Sequence, residues 1–372
     1  MKTNNQNSAP GKIFLMLKNS ISKIILLLTV ISLVAGCSKK NDSISPPGSG
    51  GGAGVGGSGS GSTTGVFAVG KIDNGVNTIA TLWKNGVVTN LTDGSHDAYA
   101  RSVFVSGNDV YALYNEFSTS IGYTAKVWKN GIVTNLTDGT HDAGALSIFV
   151  SGNDVYVTGN EKGSNHYVAK VWKNGTAMNL TDGTNDAYAY SVYVSGNNVY
   201  VAGYEIINNI LVAKLWKNSV STALTDGTKA GYAYSVYVSG TDVYVAGFEI
   251  SGGKSIAKFW KNGVASNLTN GTNSGYALSV YFSGNNLYVA GYESNGTNNN
   301  AKVWKNGAAI NLTDGTHYSI STSTFVLGND VYVGGSETSS GNFSVAKIWK
   351  NGVATLLTDG TKDAQVLSLF VK

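Results

Sequence analysis

Ala301-Lys302-Val303-Trp304-Lys305-Asn306-Gly307, followed by Asn311-Leu312-Thr313-Asp314-Gly315-Thr316, is one copy of a unit that recurs through most of the chain. Its tryptophan falls at 83, 128, 172, 216, 260, 304 and 349, so successive copies are 44 or 45 residues apart, and no tryptophan lies outside that register. A period in the forties made of several short strands is the mark of a propeller blade. Each unit offers four segments rich in Val, Tyr and Trp, separated by Gly, Asn, Asp and Ser. In the unit around Trp216 the predicted strands are 190–194, 199–203, 212–217 and 220–224. Asn174-Gly175 and Gly196-Asn197 suit hairpin turns, because Gly and Asn tolerate the positive φ such turns need. Helical periodicity is absent, and no proline follows Pro47, as expected where nearly every amide is needed in a sheet ladder.

The ends of the array predict how it closes. Gly65-Val66-Phe67-Ala68-Val69-Gly70 matches the second strand of a unit, and Ser368-Leu369-Phe370-Val371 matches the first. Together they complete one blade, which fastens the ring and leaves only short edges. A solenoid would instead want distinct capping repeats. The expected fold is all-β: a seven-bladed propeller of four antiparallel strands per blade over 66–372, closed by pairing the N-terminal and C-terminal strands. The pattern resembles the seven-bladed propellers with near-identical blades found in bacterial surface proteins. It lacks the Trp-Asp and Gly-His signatures of WD repeats and the paired glycines of kelch repeats, so the resemblance implies fold and says little of ligand.

Upstream, Lys12, Lys18 and Lys23 precede an apolar run over 24–35, of signal-peptide length and short for a membrane span. The run ends in Leu33-Val34-Ala35-Gly36-Cys37, which resembles the lipobox of bacterial lipoproteins. That resemblance implies cleavage after residue 36, lipid (diacylglyceryl with palmitate) on Cys37, and an outer-membrane anchor facing the periplasm or the cell exterior. Cys37 is the only cysteine, which excludes disulfides and thiolate metal sites in the folded part. Residues 37–65 are dominated by Gly and Ser and read as a flexible tether, with a reach of about 30 Å.

Charge narrows the partners. Of 26 basic residues, Lys2, Lys12, Lys18 and Lys23 lie in the segment expected to be removed, leaving 22 against 22 acidic ones. Arg101 is the single arginine. A neutral, arginine-poor surface is a poor nucleic-acid binder, so none is expected. A monomer is expected.

Most repeated residues read as structure. The seven tryptophans suit blade-to-blade packing, since a propeller sheet is buried on both faces. Glu116, Glu161, Glu205, Glu249, Glu293 and Glu337 end the second strand of six units, with Lys126, Lys170, Lys214, Lys258, Lys302 and Lys347 two before the tryptophan. In the seventh unit Ile72 and Thr81 take both places, the joint loss expected of a cross-strand ion pair. Asp-Gly-Thr repeats read as Asx turns and not as calcium loops. His96, His141 and His317 share one repeat position, too far apart around a ring for one metal. No metal and no cofactor is expected.

Function is expected on the face carrying the second-to-third strand connections, which differ in every unit while the other turns are nearly constant. Tyr99, Tyr188, Tyr232 and Tyr276, with Tyr190 and Tyr234 two residues further in, start the axis-lining strands and are candidate ligand contacts together with Arg101. Tyrosine joins an apolar ring to a hydroxyl and suits sugar faces or a protein anchor. Ile206, Ile207, Ile210 and Leu211 form an apolar hairpin tip, a candidate partner contact or an interblade plug. Sevenfold likeness argues against an enzyme, because catalysis needs unlike groups converging on one point. The expectation is a lipid-anchored binding protein for a glycan or protein. An architectural scaffold is the alternative, and a lyase or hydrolase at the central mouth a third reading.

Overall fold

Ala187–Ser195, Asn198–Ile207, Ile210–Lys217 and Val220–Ala223 pair in chain order into one antiparallel sheet. The first three are longer than the sequence predicts and the fourth ends one residue earlier: the hairpin of the second and third continues to a two-residue turn at Asn208-Asn209, both at positive φ. Five further units, each contiguous in sequence, repeat this sheet. They are numbered here as blades 1 (98–135), 2 (143–179), 3 (187–223), 4 (231–267), 5 (275–311) and 6 (319–356). This is a computed structural model, which describes residues 64–372. The signal segment, Cys37 and nearly all of the tether lie outside the described residues.

Blade 7 is built from both ends. Its innermost strand is Ala364–Val371, which pairs antiparallel with Val66–Asp73, and Thr78–Lys84 and Val87–Asn90 complete it. Gly65 and Lys372 exchange backbone hydrogen bonds of 2.8 and 3.0 Å at the seam. The described residues form an all-β, seven-bladed propeller, closed by pairing of the first and last strands as predicted.

Seven apolar clusters hold it, each spanning two neighbouring blades. Between blades 2 and 3, Val171 and Tyr156 pack with Val192, Val201 and Trp216. Six of the seven tryptophans are at most 2% exposed; Trp128 is half-buried. A closed circle of serines runs around the axis inside these clusters. Ser102 Oγ accepts from the amide of Ile148, Ser147 from Val192, Ser191 from Val236, Ser235 from Val280, Ser279 from Thr324, Ser323 from Leu369, and Ser368 from Val103. Two residues further along each innermost strand, toward the face of the first-to-second strand turns (the hairpin face), lies a collar of seven aromatic rings: Phe104, Phe149, Tyr193, Tyr237, Tyr281, Phe325 and Phe370. Neighbouring centroids are 4.7–5.0 Å apart all the way round, so the rings form an unbroken belt about the axis.

The other repeated polar residues also serve the frame. The turn asparagines cap the second strand, as where Asn218 Oδ1 accepts from Val199 N at 2.9 Å. Thr225 Oγ1 accepts from Ala213 N, and Asp226 Oδ1 from Thr228 N and Oγ1 in an Asx turn. Where the second acid of the turn is present it ties back to the preceding blade; Asp186 Oδ1 accepts from Tyr167 N at 2.8 Å.

All six Glu–Lys pairs form, diagonally across the second and third strands, with side chains 11–24% exposed. Glu293 and Lys302 meet at 2.7 Å. Removing one partner strands a half-buried charge, so Glu293→Ala should cost about 1–3 kcal/mol in urea unfolding. Adding Lys302→Thr should recover most of that loss, since blade 7 lives with Ile72 and Thr81. A double variant no better than the single one would show that the pair is not what the two residues share.

Candidate functional site

The innermost strand of every blade carries a bulge at one repeat position. In blade 3 the pairing runs Ala189↔Gly203 and then Ser191↔Ala202, leaving Tyr190 unopposed. The same shift isolates Arg101, Leu146, Tyr234, Leu278, Thr322 and Leu367. A bulge re-aims the side chain it carries. A Cβ on Gly203 would lie 2.0 Å from the carbonyl oxygen of Tyr188, so the backbone comes too close for any side chain opposite the bulge in this blade.

One step nearer the variable-loop face, each innermost strand pairs with the second strand through Tyr99↔Asn115, Gly144↔Asn160, Tyr188↔Tyr204, Tyr232↔Phe248, Tyr276↔Tyr292, Ile320↔Ser336 and Gln365↔Lys71. The mouth of the channel is therefore divided. Blades 3 to 5, joined by Tyr167 of blade 2, supply a continuous aromatic arc: Tyr167, Tyr188, Tyr204, Tyr232, Phe248, Tyr276 and Tyr292, with successive centroids 4.6–5.3 Å apart. Tyr190 and Tyr234 lie beneath it, edge to face at 4.9 Å. Blades 6, 7, 1 and 2 supply Ser336, Lys71, Gln365, Asn115 and Asn160 with the two cations Lys71 and Arg101.

The candidate tyrosines do not share one role. Tyr99 and Tyr232 are buried at 7% and 3%, and with Tyr204 and Phe248 they fill the interior. Tyr188, Tyr190, Tyr234 and Tyr276 are half-buried. Burial holds the Tyr188 and Tyr234 hydroxyls well above the usual phenol range, and pushes Tyr190 up to about 12, so all stay protonated donors. Arg101 faces Tyr99, Tyr123 and Tyr190. At the apolar hairpin tip Leu211 is buried, while Ile206, Ile207 and Ile210 are half-buried.

Two features escaped the sequence reading. Asp138, His141 and Glu161, and likewise Asp314, His317 and Glu337, bring ligand atoms within 4.8 Å of one another. Repeat spacing sets the histidines against one another around the ring, whereas the fold joins each of these two to an acid of its own turn and an acid of the adjacent second strand. Glu161 and Glu337 are already engaged by Lys170 and Lys347. A polar groove of about 470 Å³ also runs beside blade 5, lined in part by Asn273, Asn295, Asn300 and Lys302.

No family model and no curated protein matches the sequence. Among solved structures, puromycin hydrolase is similar with a TM-score of 0.55 at 9% identity, over 79% of this chain and 52% of that one. This chain thus spans about half the length of that protein. TolB from Acinetobacter baumannii is matched at 13% identity and a TM-score of 0.44, over 81% and 79% of the two chains. At such identities the likeness is one of fold.

The comparison nonetheless corrects one expectation. A propeller similar to this one occurs in a hydrolase, so repetition among blades does not exclude an enzyme, and that exclusion is withdrawn. Its premise fails as well, because the mouth is not seven likenesses but an aromatic arc facing a polar, cationic one.

Proposed function

We propose that the chain is an envelope protein that binds a glycan in the mouth of its channel, on the face of the variable loops, with the tyrosine arc as the platform. The observation that carries this reading is the run of stacked rings across blades 3 to 5, of which Tyr188, Tyr190, Tyr234 and Tyr276 keep part of their surface open. Stacked tyrosines hold their rings at little entropic cost, and their hydroxyls supply hydrogen bonds beside an apolar face. The lipobox-like Leu33-Val34-Ala35-Gly36-Cys37 supports attachment to a bacterial outer membrane through lipid on Cys37, with residues 37–65 as the tether.

An oligosaccharide array probed with the full chain tests the reading, followed by titration of the best hit. Tyr188→Ala and Tyr276→Ala should each weaken capture by about thirtyfold, the scale of a hot-spot ring worth ~2 kcal/mol. Both variants should still unfold cooperatively. A blank array together with a protein captured through Ile206, Ile207 and Ile210 would replace the glycan by a protein partner and make the molecule a scaffold.

A further inference from the structure

Arg101 stands in the channel wall with no acid to pair with. Its Nε is enclosed and meets no hydrogen-bond partner, and the guanidinium forms no ion pair with any described residue. The ring of Tyr99 lies 5.4 Å from its Cζ, and Lys71 from blade 7 brings its Nζ to 5.3 Å from the same ring. Burial lowers the pKa of both groups, and for Lys71 the charge of Arg101 adds to the effect. Holding a cation dry and unpaired is costly, and a tyrosine face offsets only part of that cost. An anionic group would satisfy the guanidinium.

The surrounding charges say which kind. Asp73, Asp97 and Asp363 act on Lys71 and oppose the downward shift of its pKa, though each has an oxygen engaged by a backbone amide, of Gly75, Thr78 and Ser344 respectively. They outnumber Lys71, whereas no carboxylate is among the groups that act on Arg101, so the guanidinium is the cation of the two that has no acid beside it. A single unpaired guanidinium in a wall where acids outnumber Lys71 suits a monoanion; a phosphate dianion would set a second negative charge against the three aspartates. The planar fork of Arg matches a carboxylate in two parallel hydrogen bonds.

Room and a further polar group lie next to it. Blade 2 carries Gly144 where blades 1, 3, 4 and 5 carry tyrosine, and even a Cβ there would come no nearer than 3.7 Å to Asn160 Oδ1. Asn160 is 7% exposed, and its amide hydrogen-bonds to no described residue. Beyond this notch the tyrosine arc begins with Tyr188 and Tyr190, and Tyr190 is close enough to feel the charge of Arg101.

We propose that the mouth takes an acidic glycan, with a uronate carboxylate on Arg101 beside Asn160 and a pyranose face on Tyr188 and Tyr190. This rests on the reading of the mouth as a glycan site and adds the charge of the ligand.

The test is calorimetric titration of the full chain with tetragalacturonate, its fully methyl-esterified form, and cellotetraose. The free acid should bind at least about tenfold more tightly than the ester, the worth of one charge-assisted pair. Arg101→Gln should remove the preference for the acid, lowering acid binding by at least about tenfold more than ester binding. Tyr188→Ala should weaken acid and ester by the same factor. Equal binding of acid and ester by the unaltered chain would overturn the anion site and leave the glycan reading standing. So would equal loss of both in Arg101→Gln, which would make the arginine structural. Binding of none of the three would overturn the inference, and the oligosaccharide array then decides separately whether any glycan is taken.

Discussion

Removal of residues 364–372 is expected to leave the chain unfolded or aggregated, although it takes away one of the 28 strands among the described residues. Ala364–Val371 is the innermost strand of blade 7 and pairs with Val66–Asp73 along its length. Val366, Leu369 and Val371 are at most 4% exposed in the cluster that joins blades 6 and 7. The loss also opens both circles around the axis. Ser368 Oγ accepts from Val103 N and Leu369 N donates to Ser323 Oγ, so the serine circle breaks in two places. Phe370 bridges Phe104 and Phe325 in the aromatic collar. What remains presents an unpaired, apolar sheet edge, a template for intermolecular pairing. Size-exclusion chromatography and thermal melting decide the matter: a monomer that melts as the intact chain does would mean that the ring does not depend on this seam.

Trp304→Ala should cost about 3–5 kcal/mol in urea unfolding, the scale for truncating a buried large aromatic. Trp304 is 1% exposed and packs with Tyr244, Ala246, Val280 and Val289 between blades 4 and 5. Its Nε1 is enclosed without a hydrogen-bond partner. Trp304→Phe therefore loses volume but also removes an unsatisfied donor, and should recover more than half of the loss. The same truncation at half-buried Trp128 should cost clearly less. Equal losses at the two positions would show that burial between blades is not what these tryptophans contribute.

What the sequence made legible was whatever recurs in all copies. Trp304 and its six counterparts set the period, the unmatched ends 65–70 and 368–371 set the closure, and Ile72 with Thr81 exposed the ion pairs by their joint absence. The mouth was legible only in part. Strict alternation treats Tyr188 and Tyr190 as two rings on one face, but the bulge at Tyr190 changes the phase, and the second-strand partners Tyr204, Phe248 and Tyr292 join the arc from across the sheet. Arg101 could be named as an oddity, yet its lack of any acid partner is a property of the assembled ring. The residues of the aromatic collar, Phe104, Phe149, Tyr193, Tyr237, Tyr281, Phe325 and Phe370, share one register in the sequence, but that register becomes a ring of touching aromatics only when seven blades surround one axis. The clusters at His141 and His317 depend on a turn folding back onto the second strand, a contact that spacing around the ring does not suggest.

Hydrogen exchange of the full chain, with and without its best-binding oligosaccharide, tests the placement of the ligand most directly. Slowed exchange is expected in the connections that lead into the innermost strands of blades 2 to 5, near residues 142–146, 186–190, 230–234 and 274–278, with the outer strands and hairpin-face turns unchanged. Protection confined to the outer strands, or to turns such as Gly196-Asn197 on the opposite face, would contradict a ligand seated in the mouth of the channel.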